Sequence, residues 1–308
     1  MATIKEVIDN YLAEGNLPQY ATYVGNNDPG AKQCLALLKK VCDALRNMSL
    51  NWPQLKRKET FLTVTGETKY RLVGDFYRLL LGSQWDSSNQ RQMSGPLTDS
   101  QQALRQYSVF ATNTLKGYQL SGPTEHLYST APYSQRSAGY FNLDQPGQND
   151  TDELVYGYIS CNYIWPRDWV TGTAYSIGNI RSGDGYVYIA LTNGNSGATR
   201  PDWSSGSASD GGVTWQVYKE PYLITTQNAQ LNDNDLVLFD ESLVIQGFQW
   251  ALLASKGLDF AQARFDWENM AKGSHARFNG PVRVNMCGSD YFDDYYDFPR
   301  TPDGSWPA

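Results

Sequence analysis

Cysteine and histidine are scarce in this chain, and each scarcity excludes a class of chemistry. Cys34, Cys42, Cys161 and Cys287 are the cysteines, and no CxxC pair occurs among them, so the familiar zinc and dithiol spacings are missing. Cys34 and Cys42 stand eight positions apart on a predicted helix, a rise of about 12 Å that no disulfide spans. Buried free thiols are therefore expected. The two histidines, His126 and His275, fall in a loop and at a helix end, where structural roles are expected of them. No GxSxG, HExxH, Gly-rich phosphate loop or kinase signature is present. We expect no catalytic residue, no cofactor and no metal.

Positive charge is also in deficit. The net charge is −7, which argues against a nucleic-acid grip as the main task, since phosphate binding needs clustered Lys and Arg. No apolar run approaches the roughly 20 residues that span a bilayer, and MATIKEVIDN lacks the apolar core of a secretion signal. A protein folded in the cytoplasm is expected. What the chain has instead is 21 Tyr and 9 Trp amid small polar residues, enough apolar surface to exclude disorder throughout. Its 308 residues suit two ordinary domains better than one.

Helices are predicted over residues 3–14 and 29–48. The first places Ile4, Val7, Ile8 and Leu12 on one face; the second starts from Asp28 as cap with Pro29 in its first turn. Residues 59–98 form the densest run of signals. Phe61 to Thr65 alternates, Gly66-Glu67 separates it from Tyr70-Arg71-Leu72-Val73, and a β-hairpin is expected. An apolar run from Tyr77 to Leu81 leads to Trp85, and Thr98 is placed to cap a helix through Leu104. Further strands are expected at 118–120 and 153–160, with a long loop over 121–152. Helices are predicted again at 241–256 and 259–272, separated by Gly257.

The acidic clusters read more readily as turn and cap formers than as chemistry. Asn232-Asp233-Asn234-Asp235 and Asp240-Glu241 contain cation-type donors, but Asx clusters commonly form turns. Asp152-Glu153 would need a distant partner acid for glycoside hydrolysis.

Residues 165–222 form a separate compositional block, with three short strands expected at 174–178, 185–191 and 212–217. Trp169, Tyr175, Tyr186, Tyr188, Trp203 and Trp215 are more large rings than a core of under 60 residues needs, so some are expected at the surface, as glycan or partner contacts. From residue 280 the chain interleaves Asp290, Asp293, Asp294 and Asp297 with Tyr291, Phe292, Tyr295, Tyr296 and Phe298. Such a segment cannot build its own core and is expected to lie extended along a partner.

Phe61 to Tyr70, Asp75-Phe76-Tyr77-Arg78-Leu79, Trp85-Asp86 and Gly95-Pro96-Leu97-Thr98 together resemble the head-to-tail adaptor proteins of short-tailed bacteriophages. Phe239-Asp240-Glu241, Gly247-Phe248-Gln249-Trp250 and Lys256-Gly257-Leu258 extend the resemblance. Within the block, Gly172 to Gly178, Val187 to Gly197, Pro201-Asp202-Trp203 and Asp210 to Trp215 resemble small chitin-binding-like carbohydrate modules. The resemblance implies an α+β chain: a helical-bundle adaptor domain from 1–164 and 223–279 with a β-rich extension, an inserted β-domain over 165–222, and an extended tail over 280–308. It implies a structural virion protein, with no enzymatic activity, in a ring of about twelve copies matched to the portal. The implied partners are the portal protein, a tail nozzle or tail tube protein, tail fibres and other copies of the chain. DNA would pass through the ring without sequence-specific binding, with Tyr291, Phe292, Tyr295, Tyr296 and Phe298 docking on the portal or a neighbouring subunit. The implied location is the head-tail junction of the virion. The alternative is a carbohydrate-binding receptor-recognition protein acting through residues 165–222.

Overall fold

The computed structural model describes residues 1–107, 116–122, 139–146, 149–203, 206–219, 222 and 231–279. It is a mixed α+β structure in which antiparallel strands form several small sheets. Two compact units are present, one from Met1–Leu55 with Cys161–Phe278 and one whose described part lies within Lys56–Ser160.

The first unit opens with α1 (Ile4–Glu14). Thr3 Oγ1 accepts from the Glu6 amide at 3.1 Å and Glu6 Oε2 accepts from the Thr3 amide at 2.8 Å, a reciprocal cap that fixes the start of the helix. Helix α2 (Pro29–Asn47) starts from Asp28, whose carboxylate accepts from Gly30 N at 2.7 Å and Ala31 N at 3.4 Å. Proline costs nothing in the first turn, where its missing N–H has no helical acceptor. The stripe of Cys34, Leu37, Leu38, Val41 and Leu45 is buried as the periodicity requires.

The second unit is built on strands β1 (Lys56–Leu62), β2 (Lys69–Arg71), β3 (Phe76–Leu79), β4 (Trp85–Asp86) and β5 (Arg91–Gln92). Helix α3 (Asp99–Tyr107) follows; Thr98 Oγ1 accepts from Gln101 N at 3.3 Å while Gln101 Oε1 accepts from Thr98 N at 3.0 Å. Strands β6 (Tyr118–Ser121), β7 (Tyr140–Leu143) and β8 (Glu153–Ser160) complete it.

The expected hairpin across Gly66-Glu67 is not formed. β1 instead pairs along its whole length with β8, Lys56 facing Ile159 and Leu62 facing Glu153, while β2 pairs with β7. A turn does form there, with Glu67 N donating to the Val64 carbonyl at 3.0 Å, but β8 offers a long apolar partner. Five consecutive residues of it, Tyr156 to Ser160, are buried, whereas Tyr70 is only partly buried. β3 and β4 also pair with β8, making it the hub of the sheet. Strand β7 lies inside the stretch expected as a loop over 121–152, of which 123–138 and 147–148 lie outside the described residues. The core stacks rings: Tyr118 on Phe141 at 4.8 Å and Phe141 on Tyr156 at 5.6 Å.

The chain returns to the first unit through β9 (Ile164–Trp165), which pairs with β16 (Leu236–Val237). Between them run β10 (Ala174–Tyr175), β11 (Ile180–Gly183), β12 (Tyr186–Ala190), β13 (Gly194–Asn195), β14 (Ser207–Asp210) and β15 (Val213–Val217). A four-stranded antiparallel sheet has the order β11-β12-β15-β14, with β10 and β13 paired beside it. The three expected strands are present; β11 and β14 were missed because Arg181, Ser182, Ser207 and Ser209 give little apolar alternation.

Helices α4 (Glu241–Ser255) and α5 (Ala261–Asn279) close the described chain. Asp240 caps α4, and Gly257, at φ 68°, turns the chain after it. α5 runs past the expected end at 272. α4 packs on α1 through Tyr11 and Phe248, stacked at 4.7 Å.

Candidate functional site

Five of the six rings singled out in residues 165–222 form a common interior. Tyr175, Tyr188 and Trp215 are buried, and Trp169 and Trp203 pack against them. Tyr175 meets Trp215 edge-on at 5.0 Å, and Tyr188 meets Trp203 at 5.1 Å. The polar ends of Trp169, Tyr175 and Tyr188 are engaged, while Trp203 Nε1 and Trp215 Nε1 are buried without a hydrogen-bond partner among the described residues. Trp169 Nε1 donates to Asp210 Oδ2 at 2.9 Å, and the Tyr188 hydroxyl donates to the Trp203 carbonyl at 2.9 Å.

Tyr186 is the exception at 38% exposed. It shares the inward face of β12 with Tyr188 and Ala190 by strand alternation, but it sits directly after the Asp184-Gly185 turn, where both residues have positive φ and the sheet ends. Exposed Val170, Ile177 and Leu191 are the other apolar groups on this region. Counting aromatics in the sequence revealed the cluster; it did not reveal that the sheet is deep enough to absorb five of them.

The acidic residues hold the fold together. Asp233 accepts from the amides of Tyr23 and Val24, the latter at 2.8 Å. Asp235 accepts from the Tyr222 hydroxyl at 2.6 Å, Asn232 N at 2.7 Å and Arg167 N at 3.1 Å. Burial raises its pKa above the ordinary carboxylate value despite these donors. Asp240 caps α4, and Glu241 Oε1 accepts from Asn10 Nδ2 at 2.5 Å.

In the second unit Asp152 belongs to a three-membered ion cluster. Lys116 Nζ lies 2.8 Å from Asp152 Oδ2 and 3.0 Å from Asp86 Oδ2. Burial pushes the Asp86 carboxyl up, but hydrogen bonds from Asn89 and Lys116 outweigh it and hold the group below the ordinary value. Sequence reading missed this cluster because its members are 30 or more positions apart. Asp75, from the Asp-Phe-x-Arg-Leu segment, is buried under Tyr158 and Ser160, whose hydroxyls donate to it at 2.9 and 2.6 Å. Burial raises its pKa, partly offset by those donors and by Arg57.

Among the described residues no three His, Cys, Asp or Glu side chains gather as metal ligands, and no helix is long and apolar enough to cross a membrane. His275 lies edge-on to Trp52 at 5.6 Å. Cys34, Cys42 and Cys161 are buried free thiols. His126, Cys287 and the docking candidates Tyr291, Phe292, Tyr295, Tyr296 and Phe298 lie outside the described residues.

A second surface feature is an open groove on the first unit, lined from α2, α4 and α5 by Lys39, Lys40, Trp250, Arg264, Trp267 and Lys272 among others. Its cations are scattered over two distant sequence segments, so no local basic motif announces it. No protein-family model matches the sequence, and no curated protein matches it.

Proposed function

We propose that the chain is a structural head-to-tail adaptor of a short-tailed bacteriophage, assembling as a ring of about twelve copies between the portal and the tail. The observation that carries this reading is the convergence of the resembling segments. Phe61 on β1, Asp75-Phe76-Tyr77-Arg78-Leu79 around β3 and Trp85-Asp86 on β4 all meet on β8, where Asp75 bonds Tyr158 and Ser160. Segments that resemble one family in order and spacing therefore cooperate in one sheet.

The helical part supports the same reading. α4 packs against both α1 and α2, with Gly247 in close contact with α2, and in this reading the three helices belong to the adaptor's bundle. In this reading residues 165–222, entered and left through the β9-β16 pair, are an inserted β-domain on the ring surface. Assembly is the mechanism: helix faces left uncovered in one copy are covered by the next, DNA passes through the centre, and the outer end offers a platform for nozzle and fibres. Co-sedimentation with purified portal complexes tests it. The chain is expected to travel with the portal, and its remaining entirely in the supernatant would contradict the reading.

The second reading, receptor recognition through a carbohydrate-binding 165–222 region, has one observation in its favour. Tyr186 lies exposed, with Val170, Ile177 and Leu191 also exposed on the same region. The inward packing of the other five rings leaves it the weaker of the two.

A further inference from the structure

Two grooves of comparable size open on different sides of α4 within the first unit, and they carry opposite charge. The groove on α2, α4 and α5 has a volume of about 830 Å³ and sets Lys39, Lys40, Arg264 and Lys272 against Asp43 and Glu268. Lys39 pairs with Asp43 at 2.5 Å and Arg264 with Glu268 at 2.8 Å. Exposed Lys40 and Lys272 therefore supply its net positive charge. Lys40 Nζ stands 5.1 Å from the Trp250 ring, a cation–π contact that leaves the charge open to an anion from solvent.

The second groove, about 760 Å³ between α1 and α4, is lined by Glu14, Asp240 and Glu241 with Asn10, Gln246 and Gln249, and by no Lys or Arg. Asp240 accepts from the Ser242 amide at 3.0 Å and Glu241 from Asn10 Nδ2 at 2.5 Å. Those donors are neutral, so the negative charge of this face stands, and Glu14 adds to it from an exposed position. On α4 the acidic groove takes residues between Glu241 and Gln249, the basic one Trp250 and Ala254. At about 100° per residue the two sets point about 130° apart around the helix, so one copy can engage a neighbour through each.

A second copy of the chain is the partner these charges fit. Neither face complements itself, since a two-fold contact would set basic on basic or acidic on acidic. Basic on acidic is a heterologous contact, which repeats from copy to copy and closes into a ring when the rotation allows. Met48, Leu50 and Phe260 also line the basic groove, apolar groups that a protein surface covers and a phosphate backbone does not. We propose that the α2/α4/α5 face of one copy seats on the α1/α4 face of the next, with Lys40 and Lys272 of one opposite Glu14 and Glu241 of the other. The assignment rests on the ring reading and supplies its subunit contact.

Two full-length variants test it by native mass measurement on portal complexes: Lys40→Glu with Lys272→Glu, and Glu14→Lys with Glu241→Lys. Each alone should need at least about tenfold more protein to assemble than the parent, because like charges then meet at every contact. Mixed one to one they should recover the parent's assembly. A ring alternating the two variants has opposite charges at every contact, and the recovery shows that both are folded. A parent assembly that the reversals leave intact, or a mixture that fails to recover it, would overturn the two faces while the ring reading stands. A parent that forms no multimer on the portal would refute the ring reading and the assignment together. A DNA oligonucleotide held by the parent and released by the lysine reversals, with assembly unchanged, would overturn the assignment in favour of a phosphate-binding groove.

Discussion

Gly247 of α4 faces Val41 of α2 so closely that a β-carbon on the glycine would overlap Val41 Cγ1, and it would also stand 3.0 Å from Trp267 Nε1. Alanine is intrinsically the better helix former by about 1 kcal/mol. Here packing reverses that order. Gly247→Ala is expected to destabilise the chain by about 1–3 kcal/mol through overpacking. Val41→Ala should do less harm in the Gly247→Ala background than in the parent, because the smaller side chain makes room. Urea unfolding of the four proteins measures the coupling, and strict additivity would refute the contact.

Lys116 neutralises two carboxylates at once. Lys116→Met leaves Asp86 and Asp152 facing each other without a cation and should cost about 3 kcal/mol. Asp86→Asn in that background should recover part of it. The depressed pKa of Asp86 adds a sign: its contribution is present above the ordinary carboxylate pKa and is lost as pH falls through the folded-state value. Acid titration of stability in parent and Lys116→Met should therefore converge at low pH. A loss that is equal at all pH values would contradict the ion cluster.

Asp75 has the opposite sign. Its folded-state pKa is raised by burial, so the folded chain holds the proton where the unfolded chain has released it. Stability is then lost as pH rises from the ordinary value of 3.8 towards the folded-state value. Asp75→Asn keeps an acceptor for Tyr158 and removes this dependence, so its stability relative to the parent should rise as pH climbs from the ordinary carboxylate value of 3.8 towards the folded-state value. Chemical unfolding across that range supplies the comparison, and a constant difference would count against it.

The rings of residues 165–222 divide into core and surface. Trp215→Ala should destabilise the four-stranded sheet by about 3–5 kcal/mol, with loss of near-ultraviolet dichroism. Tyr186→Ala should change stability by under about 1 kcal/mol. If polysaccharide is retained by the protein at all, Tyr186→Ala should weaken retention without unfolding. Equal thermal shifts for the two variants would refute this division.

Local features were the legible ones. Asp28 and Pro29 announce the start of α2, Thr98 that of α3, and the apolar stripe of α2 predicts its buried face, because each depends on residues within one or two turns. Partner choice was not legible. The alternation of residues 61–65 overlaps only the end of β1, which runs Lys56–Leu62, and the pairing of that strand with β8, some 90 positions away, depends on which apolar strand is available after collapse. Lys116, Asp86 and Asp152 are likewise brought together only by the completed sheet. The aromatic surplus of 165–222 was visible as a count, whereas exposure at Tyr186 follows from the position of one turn.

The mass of the purified chain, alone and mixed with portal complexes under native conditions, tests the central claim most directly. The account predicts a species of about twelve copies that forms on the portal or is strongly enhanced by it. A monomer indifferent to portals would contradict it.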